Sequence, residues 1–317
     1  MAKEFIVSTG RVIKNYLDEY GITQKELAKR TGISEKHISH VLKGHSELTV
    51  DMALKLEKIL TGVPASYWLN YEAKYREQVA RENSPAYSAS PDIKKSWADR
   101  FHFKEVFKDM PLSLNEKIDE MLSILQISSF DSFDTVYSTS AVAFMEDGGE
   151  KEAIAIWLGL CREDCDIQND SVAGSFDRKL FLKELPELRT YIMESDMKEA
   201  LRKVRAFLNR HGVYLVVRPA IRNCKVRGAL VTYKKQPAIY MSLRFKTHDH
   251  IWFALLHEIG HLVKHYDGKE ESITLDGEST CMNEKEQEAN TFAQNFLVAP
   301  GDWTAFITQG LFSNTKI

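Results

Sequence analysis

The residues best suited to chemistry lie between Trp252 and Val263, where two histidines flank a glutamate. The segment reads WFALLHEIGHLV and contains His257, Glu258 and His261. Side chains four positions apart share one face of a helix, so both imidazoles can reach one Zn²⁺ at about 2.0–2.1 Å. Glu258 would then stand beside the open coordination position, where a carboxylate can take a proton from a water activated by the metal. The other side chains are mostly apolar, so we expect the helix to be buried.

A third ligand is predicted on a second amphipathic helix, which spans residues 284–300 and ends at a proline. Glu286 shares a face with Asn290 and with two apolar residues, Ala293 and Leu297. Glu288 is rotated from that face by about 200° and is expected in solvent. We therefore predict Glu286 as the ligand, with Asn290 holding a ligating histidine or the carboxylate in place.

His257, His261 and Glu286 would form the His₂Glu set of a catalytic zinc site, with the fourth position open to water. The simpler alternative is that both histidines are core residues hydrogen-bonded to carbonyls. The pattern H-E-I-G-H followed by E-x-x-A-N-x-F-A-x-x-x-L-x-x-P resembles the ImmA/IrrE family of bacterial zinc metallopeptidases. The resemblance covers roughly residues 205–300. It implies a thermolysin-like (gluzincin) minimal zinc domain that cuts or senses partner regulators.

Length and composition limit the class of protein. A chain of 317 residues is long enough for two or three domains, and 44% hydrophobic with 27% charged residues is typical of a globular protein. This composition excludes a predominantly disordered protein. A net charge of -3 provides no general attraction to nucleic acid. The first residues lack a signal-peptide pattern and no run of 18 apolar residues occurs, so we expect a cytoplasmic protein without a membrane partner.

Helical stretches punctuated by glycine occupy residues 10–60 and predict a five-helix N-terminal domain. Thr23, Ser34 and Thr49 are expected N-caps, and Thr23 with Glu26 has the spacing of a capping box. Residues 1–80 contain twelve Lys and Arg against ten Asp and Glu, a weak positive balance. Apolar residues at helical spacing predict a common core of Leu27, Ala28, Ile33, Ile38, Val41, Leu42, Ala53, Leu56 and Leu60.

Residues 22–44, ITQKELAKRTGISEKHISHVLKG, resemble the Xre/Cro-type helix-turn-helix in its HigA antitoxin variety. The resemblance implies a homodimer on a double-stranded DNA operator, with the second helix of the motif in the major groove. It places the candidates for base-edge contact at Ser34, Glu35, Lys36 and Ser39. Gln24 and Lys43 are the corresponding candidates for phosphate contact. A helical module that packs or binds a partner protein is the alternative.

The remaining segments complete the predicted organisation. Two prolines and three serines in residues 83–92 indicate a linker, and residues 93–195 have helical periodicity without chemical motifs. Three runs of β-branched and aromatic residues, at 213–217, 228–233 and 238–243, predict a small sheet before the zinc helix. We predict a mainly α, α+β chain with a helix-turn-helix domain at 1–82, a helical adaptor at 83–195 and a zinc domain at 196–317.

Two functions stay open at this point. In the first, the chain is a transcriptional regulator of the HigA antitoxin kind, whose zinc domain serves as a peptidase or sensor and whose partner is a toxin. In the second, it is an active zinc metallopeptidase that cleaves a partner repressor and uses the helix-turn-helix for targeting.

Overall fold

The computed structural model describes residues 7–137, 149–244, 247–268, 272–275 and 284–308, with the backbone alone at 272–275. Contacts between Cα atoms divide the chain into two compact units, residues 1–91 and 92–317. The first unit is helical and the second combines helices with a small sheet, which confirms the predicted mainly α, α+β class. Among the described residues, no helix is long and apolar enough to cross a membrane.

Among residues 7–91, the described part of the first unit, there are six helices: α1 (Thr9–Glu19), α2 (Gln24–Thr31), α3 (Glu35–Leu42), α4 (Val50–Ile59), α5 (Ala65–Glu82) and α6 (Pro85–Ser88). Seven of the nine predicted core residues are buried, and Ala28 and Ile33 pack against them half-buried. Trp68 of α5 is also buried in this core. The boundary between the two units, at residues 91 and 92, falls within the predicted linker, and the short helix α6 also lies within it. The proline at its first position is compatible with a helix, since no backbone donor is needed there.

The predicted N-caps of the first unit are present. The hydroxyls of Thr23, Ser34 and Thr49 accept hydrogen bonds from backbone amides three positions on, at 3.1–3.3 Å. The capping box at Thr23 is only half formed, because the Glu26 carboxylate accepts from Arg30 at 2.9 Å. Gly32, with φ of 69°, ends α2 in the left-handed conformation and turns the chain into α3.

The second unit contains eleven further described helices. Those that precede the sheet are α7 (Pro91–Arg100), α8 (Phe103–Val106), α9 (Leu114–Leu125), α10 (Phe133–Val136), α11 (Lys151–Asp166), α12 (Arg178–Glu184), α13 (Leu188–Ile192) and α14 (Met197–Arg210). Those that follow it are α15 (His248–Lys264), α16 (Glu284–Leu297) and α17 (Pro300–Thr308). Short 3₁₀ turns occupy Phe130–Ser132 and Leu185–Glu187.

In the part of the chain that the structure describes, the sheet has four strands in the order β1-β3-β2-β4, one more than the sequence predicted. They are β1 (Tyr214–Val217), β2 (Val226–Tyr233), β3 (Gln236–Met241) and β4 (Ser272–Leu275). Strand β1 runs parallel to β3, while β2 runs antiparallel to both β3 and β4. The fourth strand lies in the connection between α15 and α16, so it covers the edge of β2.

Both faces of the sheet are buried. One face packs with α14 and α15 through residues such as Leu215, Leu230 and Ile239. The opposite face packs with α11, whose Ile154 and Trp157 contact the alternating residues of the same strands. A strand segment buried on both sides is a continuous apolar run, as β2 is from Gly228 to Val231 and β3 is from Pro237 to Met241. Helix α11 thus covers the sheet of the second unit, although the sequence prediction placed it in a separate adaptor.

Candidate metal centre and nucleic-acid interface

The two helices predicted to hold a metal pack directly against each other. Helix α15 is apolar and buried from Leu255 to Val263. His257 and His261 lie one turn apart within it and are 4% and 2% exposed. Helix α16 is amphipathic and turns Ala289 and Ala293 into the same core. The pairing of these helices therefore brings an acidic helix against the histidine face of a buried one.

Three predicted ligands, His257, His261 and Glu286, converge within 4.8 Å of one another. The two histidine Nε2 atoms are 3.0 Å apart. Glu286 directs one oxygen to each ring, at 3.2 Å from His257 Nε2 and 3.1 Å from His261 Nε2. A tetrahedral ion with bonds of about 2.0–2.1 Å separates its ligand atoms by about 3.3–3.4 Å. Each of these three N···N and N···O distances is thus close to the separation of two ligand atoms in such a coordination sphere.

Asn290 fixes the orientation of His257. Its Oδ1 lies 2.9 Å from His257 Nδ1, and a carboxamide oxygen only accepts, so Nδ1 carries the hydrogen. In the neutral imidazole this leaves Nε2 with a free lone pair, directed at Glu286 and His261. The hydrogen bond therefore selects the tautomer that a metal ligand requires.

The charges of the site favour a cation. Burial lowers the pKa of His257, but the hydrogen bond to Glu286 and the charges of Glu258 and Glu286 together raise it above its ordinary value. Burial raises the pKa of Glu286, but hydrogen bonds from His257 and His261 outweigh this and hold it well below its usual range. Two neutral imidazoles and two carboxylates would match the charge of one divalent ion. The donor set thus fits a metal of the zinc class.

Glu258 belongs to α15 and is 1% exposed. Its side chain packs against strand β2 at Gly228. Its carboxylate passes so close to Gly228 that a Cβ there would stand 2.5 Å from Oε1 and 2.9 Å from Cγ. Gly228 therefore makes room for the Glu258 side chain, a close approach that the sequence did not predict. A glycine within a strand signals close approach of another group, but the sequence does not reveal which group approaches.

A second glycine sets the distance between the two ligand helices. A Cβ at Gly260 would lie 3.0 Å from the Cα, 3.1 Å from the carbonyl oxygen and 3.3 Å from the Cβ of Ala289. Both residues are small because the helix backbones approach closely here. The contact lies between His257 and His261 on one helix and one turn after Glu286 on the other.

Two other residues near the centre have different roles. His265 continues the spacing of the histidines, but its Nε2 lies 3.2 Å from the backbone oxygen of Lys285, the arrangement of a hydrogen bond. Burial and the neighbouring His261 lower its pKa. Glu288 is exposed, as predicted, with its carboxylate 3.7 Å from His265. Cys281, whose thiolate would be a further candidate to bind the metal, lies outside the described residues.

The candidate DNA contacts lie around the helix-turn-helix formed by α2 and α3. Gln24 begins α2 and is exposed, and Lys43 is exposed at the C-cap of α3. The base-edge candidates occupy the N-terminal half of α3, where Ser34, Glu35 and Lys36 are exposed and Ser39 is half-buried. The Ser34 hydroxyl also accepts from the amide of His37 at 3.3 Å. Helix α3 thus presents a polar N-terminal surface over an apolar inner face.

Comparison with known families finds one matching segment in each unit. Residues 13–68 match a family described as helix-turn-helix, and residues 209–305 match the IrrE N-terminal-like domain, a peptidase family. The chain joins a helix-turn-helix domain to an IrrE N-terminal-like domain. The first supports DNA binding, and domains of the second kind are typically metal-dependent. The match to the IrrE N-terminal-like domain includes the sheet and both ligand helices but not α11.

One curated relative shares a short segment with this chain. The virulence-associated protein A' of Dichelobacter nodosus is 35% identical over 66 residues. The matched segment is 21% of this chain and 57% of that protein. The chain therefore spans little more than half the length of that relative.

Proposed function

We propose that the chain is a DNA-binding regulator whose IrrE N-terminal-like domain is an active zinc metallopeptidase that cleaves a partner regulator protein. The observation that carries this proposal is the convergence of His257, His261 and Glu286, with a buried Glu258 beside them. A site that served only to stabilise the fold would complete its tetrahedron with a fourth protein ligand. Among the described residues the cluster contains three candidate ligands, which suits a catalytic site with one open position.

His257, His261 and Glu286 would hold the ion, which when bound lowers the pKa of water and polarises a peptide carbonyl. Glu258 is the proton carrier in this proposal. Its carboxylate accepts the proton of the attacking water and donates it to the amide nitrogen that leaves. The packing against Gly228 limits the positions that this carboxylate can adopt, and its burial excludes competing water. Proton transfer by a positioned carboxylate contributes typically about 10²–10⁴-fold in rate.

The N-terminal domain would bring the peptidase to its target. We propose that α3 enters the major groove of an operator, with Lys36 and Ser39 at base edges and Lys43 at a phosphate. Binding as a homodimer would place two such helices about 34–36 Å apart. A regulator bound at the same operator is then the natural substrate. The HigA antitoxin assignment stays a prediction, and the identity of the neighbouring gene would test it.

The metal assignment is tested first. Protein purified without chelator is expected to contain about one zinc per chain. His257→Ala and His261→Ala should release the ion and lower the melting temperature, whereas Glu288→Gln, on the exposed side of α16, should not. Zinc content that stays unchanged in both histidine variants would rule out this ligand set.

The catalytic assignment is tested by Glu258→Gln, with Glu288→Gln as the matched control. Glutamine keeps the size and hydrogen bonding of the side chain but cannot accept a proton. Zinc content should stay near wild type while cleavage of regulators encoded beside the gene, followed on gels, falls by about 10²–10⁴-fold. Equal cleavage by wild type and Glu258→Gln would refute the proton-carrier role. Cleavage by neither protein would favour a metal-bound sensor instead.

DNA binding is tested with fragments of the protein's own promoter. Lys36→Ala and Ser39→Ala should relax or abolish specific binding. Lys43→Ala should instead weaken all duplexes alike and flatten the salt dependence, since a phosphate contact carries no base information. Gel shifts that show no specific binding by the intact protein would contradict the operator proposal.

A further inference from the structure

Glu286 is the most weakly held of the three candidate ligands. Its side chain is 36% exposed, compared with 5% for His257 and 3% for His261. It is also the third residue of α16, which begins at Glu284. The first turn of a helix lacks internal partners for its amides and opens more readily than the middle. The histidines are therefore fixed by the core of α15, whereas the position of Glu286 depends on what holds the start of α16.

His265 contacts this first turn from the end of the neighbouring helix. It is the C-cap of α15, and its own amide donates to the carbonyl of His261 at 2.8 Å. Its side chain is 11% exposed, and its Nε2 lies 3.2 Å from the carbonyl oxygen of Lys285. A carbonyl oxygen only accepts, so the imidazole Nε2–H is the donor. The second lone pair of a helical carbonyl leaves room for such a side-chain donor.

The acceptor is the peptide group that joins Lys285 to Glu286. Because a peptide unit is planar and rigid, holding the carbonyl of Lys285 also holds the amide and Cα of Glu286. One turn later, Ala289 and Asn290 are fixed by Gly260 and His257. The carboxylate ligand is thus anchored on both sides along its own helix.

We propose that His265 is a positioning residue for the metal ligand Glu286, acting through the hydrogen bond from its Nε2 to the carbonyl of Lys285. It does not coordinate the ion itself. This inference rests on the proposed metal site, and it assigns the site a residue outside the ligand set. Its consequence is that metal affinity depends on a donor group at the C-terminal end of α15.

The test compares His265→Phe with His265→Gln. Phenylalanine keeps an aromatic ring but removes the donor, whereas the terminal amide of glutamine carries an N–H about as far from Cα as the imidazole Nε2. Zinc affinity is measured by competition with a chelator. We expect His265→Phe to bind zinc about 10-fold or more weakly, the usual effect of removing a group that supports a ligand. His265→Gln should stay within about threefold of wild type if the donor is what matters.

A second measurement does not need the metal. In protein stripped of metal, hydrogen–deuterium exchange in the peptide that covers Glu284 to Ala289 should be faster in His265→Phe and near wild type in His265→Gln. Circular dichroism and melting of the metal-free variants show whether both remain folded. A general loss of packing would speed exchange across α15 as well and would affect both variants.

Each result has a definite meaning. Wild-type zinc affinity and exchange in His265→Phe would overturn the inference, and so would equal weakening of both variants, because the donor would then not be the cause. Should the wild-type protein bind no zinc, the metal proposal fails, whereas the positioning contact is still decided by the exchange of the first turn of α16.

Discussion

Gly260→Ala tests whether the distance between the two ligand helices determines metal binding. The added Cβ would lie 3.0 Å from the Cα and 3.1 Å from the carbonyl oxygen of Ala289. An ordinary van der Waals contact begins at 3.4 Å, so the helices must separate by about 0.3–0.4 Å. Overpacking of this kind costs about 1–3 kcal/mol. Alanine in a helix interior recovers about 0.5–1 kcal/mol of that cost relative to glycine.

The same movement acts directly on the ligand atoms. Glu286 lies 3.1–3.2 Å from the two Nε2 atoms, and separation of the helices would increase these distances to about 3.5 Å. A tetrahedral zinc requires about 3.3–3.4 Å. The distances would thus pass from slightly below this value to slightly above it, where the carboxylate has to change rotamer or the ion has to accept a long bond. We expect zinc affinity to fall about 10-fold, in the range seen when groups that orient a ligand are changed, while the metal-free protein melts only a few degrees lower.

The assay is chelator competition for zinc, together with the melting temperature of the metal-free protein. Ile154→Val is a suitable control, because Ile154 is buried in α11 on the opposite face of the sheet and the change costs about 0.5–1.5 kcal/mol. This control should lower the melting temperature without changing zinc affinity. The reasoning is refuted if Gly260→Ala binds zinc as tightly as wild type, or if Ile154→Val weakens zinc binding equally.

Three further predictions follow from single contacts. Gly228→Ala should keep its zinc but hydrolyse its substrate about 10²-fold or more slowly, since displacing the Glu258 carboxylate by about 1 Å misplaces the proton acceptor. Unchanged cleavage by a variant with full zinc content would argue against this role of Gly228. Burial raises the pKa of every described cysteine, Cys161, Cys165 and Cys224. In a Cys281→Ser variant, which retains only these three, disulfide reagents at about pH 8 should therefore leave the native protein unmodified. Rapid labelling of the native variant would contradict this prediction. Hydrogen bonds, chiefly from Lys234, lower the pKa of Asp166 to about 2, so this carboxylate stabilises the fold above its unfolded pKa of about 3.9 and loses that contribution as the pH falls through about 2. The melting-temperature gap between wild type and Asp166→Asn should therefore be constant from about pH 5 to 8 and narrow from about pH 4 down to about pH 2. A gap at about pH 2 that is as large as at about pH 7 would contradict this assignment.

The convergence of the ligand residues was accessible from the sequence because it depends on local periodicity. Four-residue spacing puts His257 and His261 on one face, and the same rule puts Glu286 and Asn290 on one face of the next helix. Each face also carries apolar residues, which indicates that both turn toward a core. The helix caps at Thr23, Ser34 and Thr49 are local in the same sense, since each hydroxyl bonds an amide three positions away.

The missed features depend on contacts between distant residues. Gly228 approaches Glu258 across 30 positions, and the role of α11 depends on the sheet having two buried faces. The hairpin between β2 and β3 turns through Lys234 and Lys235, both at positive φ, where asparagine or glycine is the usual signal. Burial patterns along β2 and β3 give no alternation that would reveal which helix covers which face. Local rules therefore located the ligands but not the neighbours that position them.

The contacts that position Glu286 indicate how metal binding and helix packing are connected. His257 and His261 belong to a single buried helix and keep their mutual spacing whatever α16 does. Glu286 reaches them only while α16 packs against α15. Two contacts hold this packing: the carbonyl of Lys285 accepts a hydrogen bond from His265, and Ala289 lies against Gly260. A bound ion would join the two helices at the same place, so its binding free energy would add to the free energy of docking. The affinity of the site is consequently a measure of helix packing, and changes to that packing should alter metal binding even where no ligand is touched.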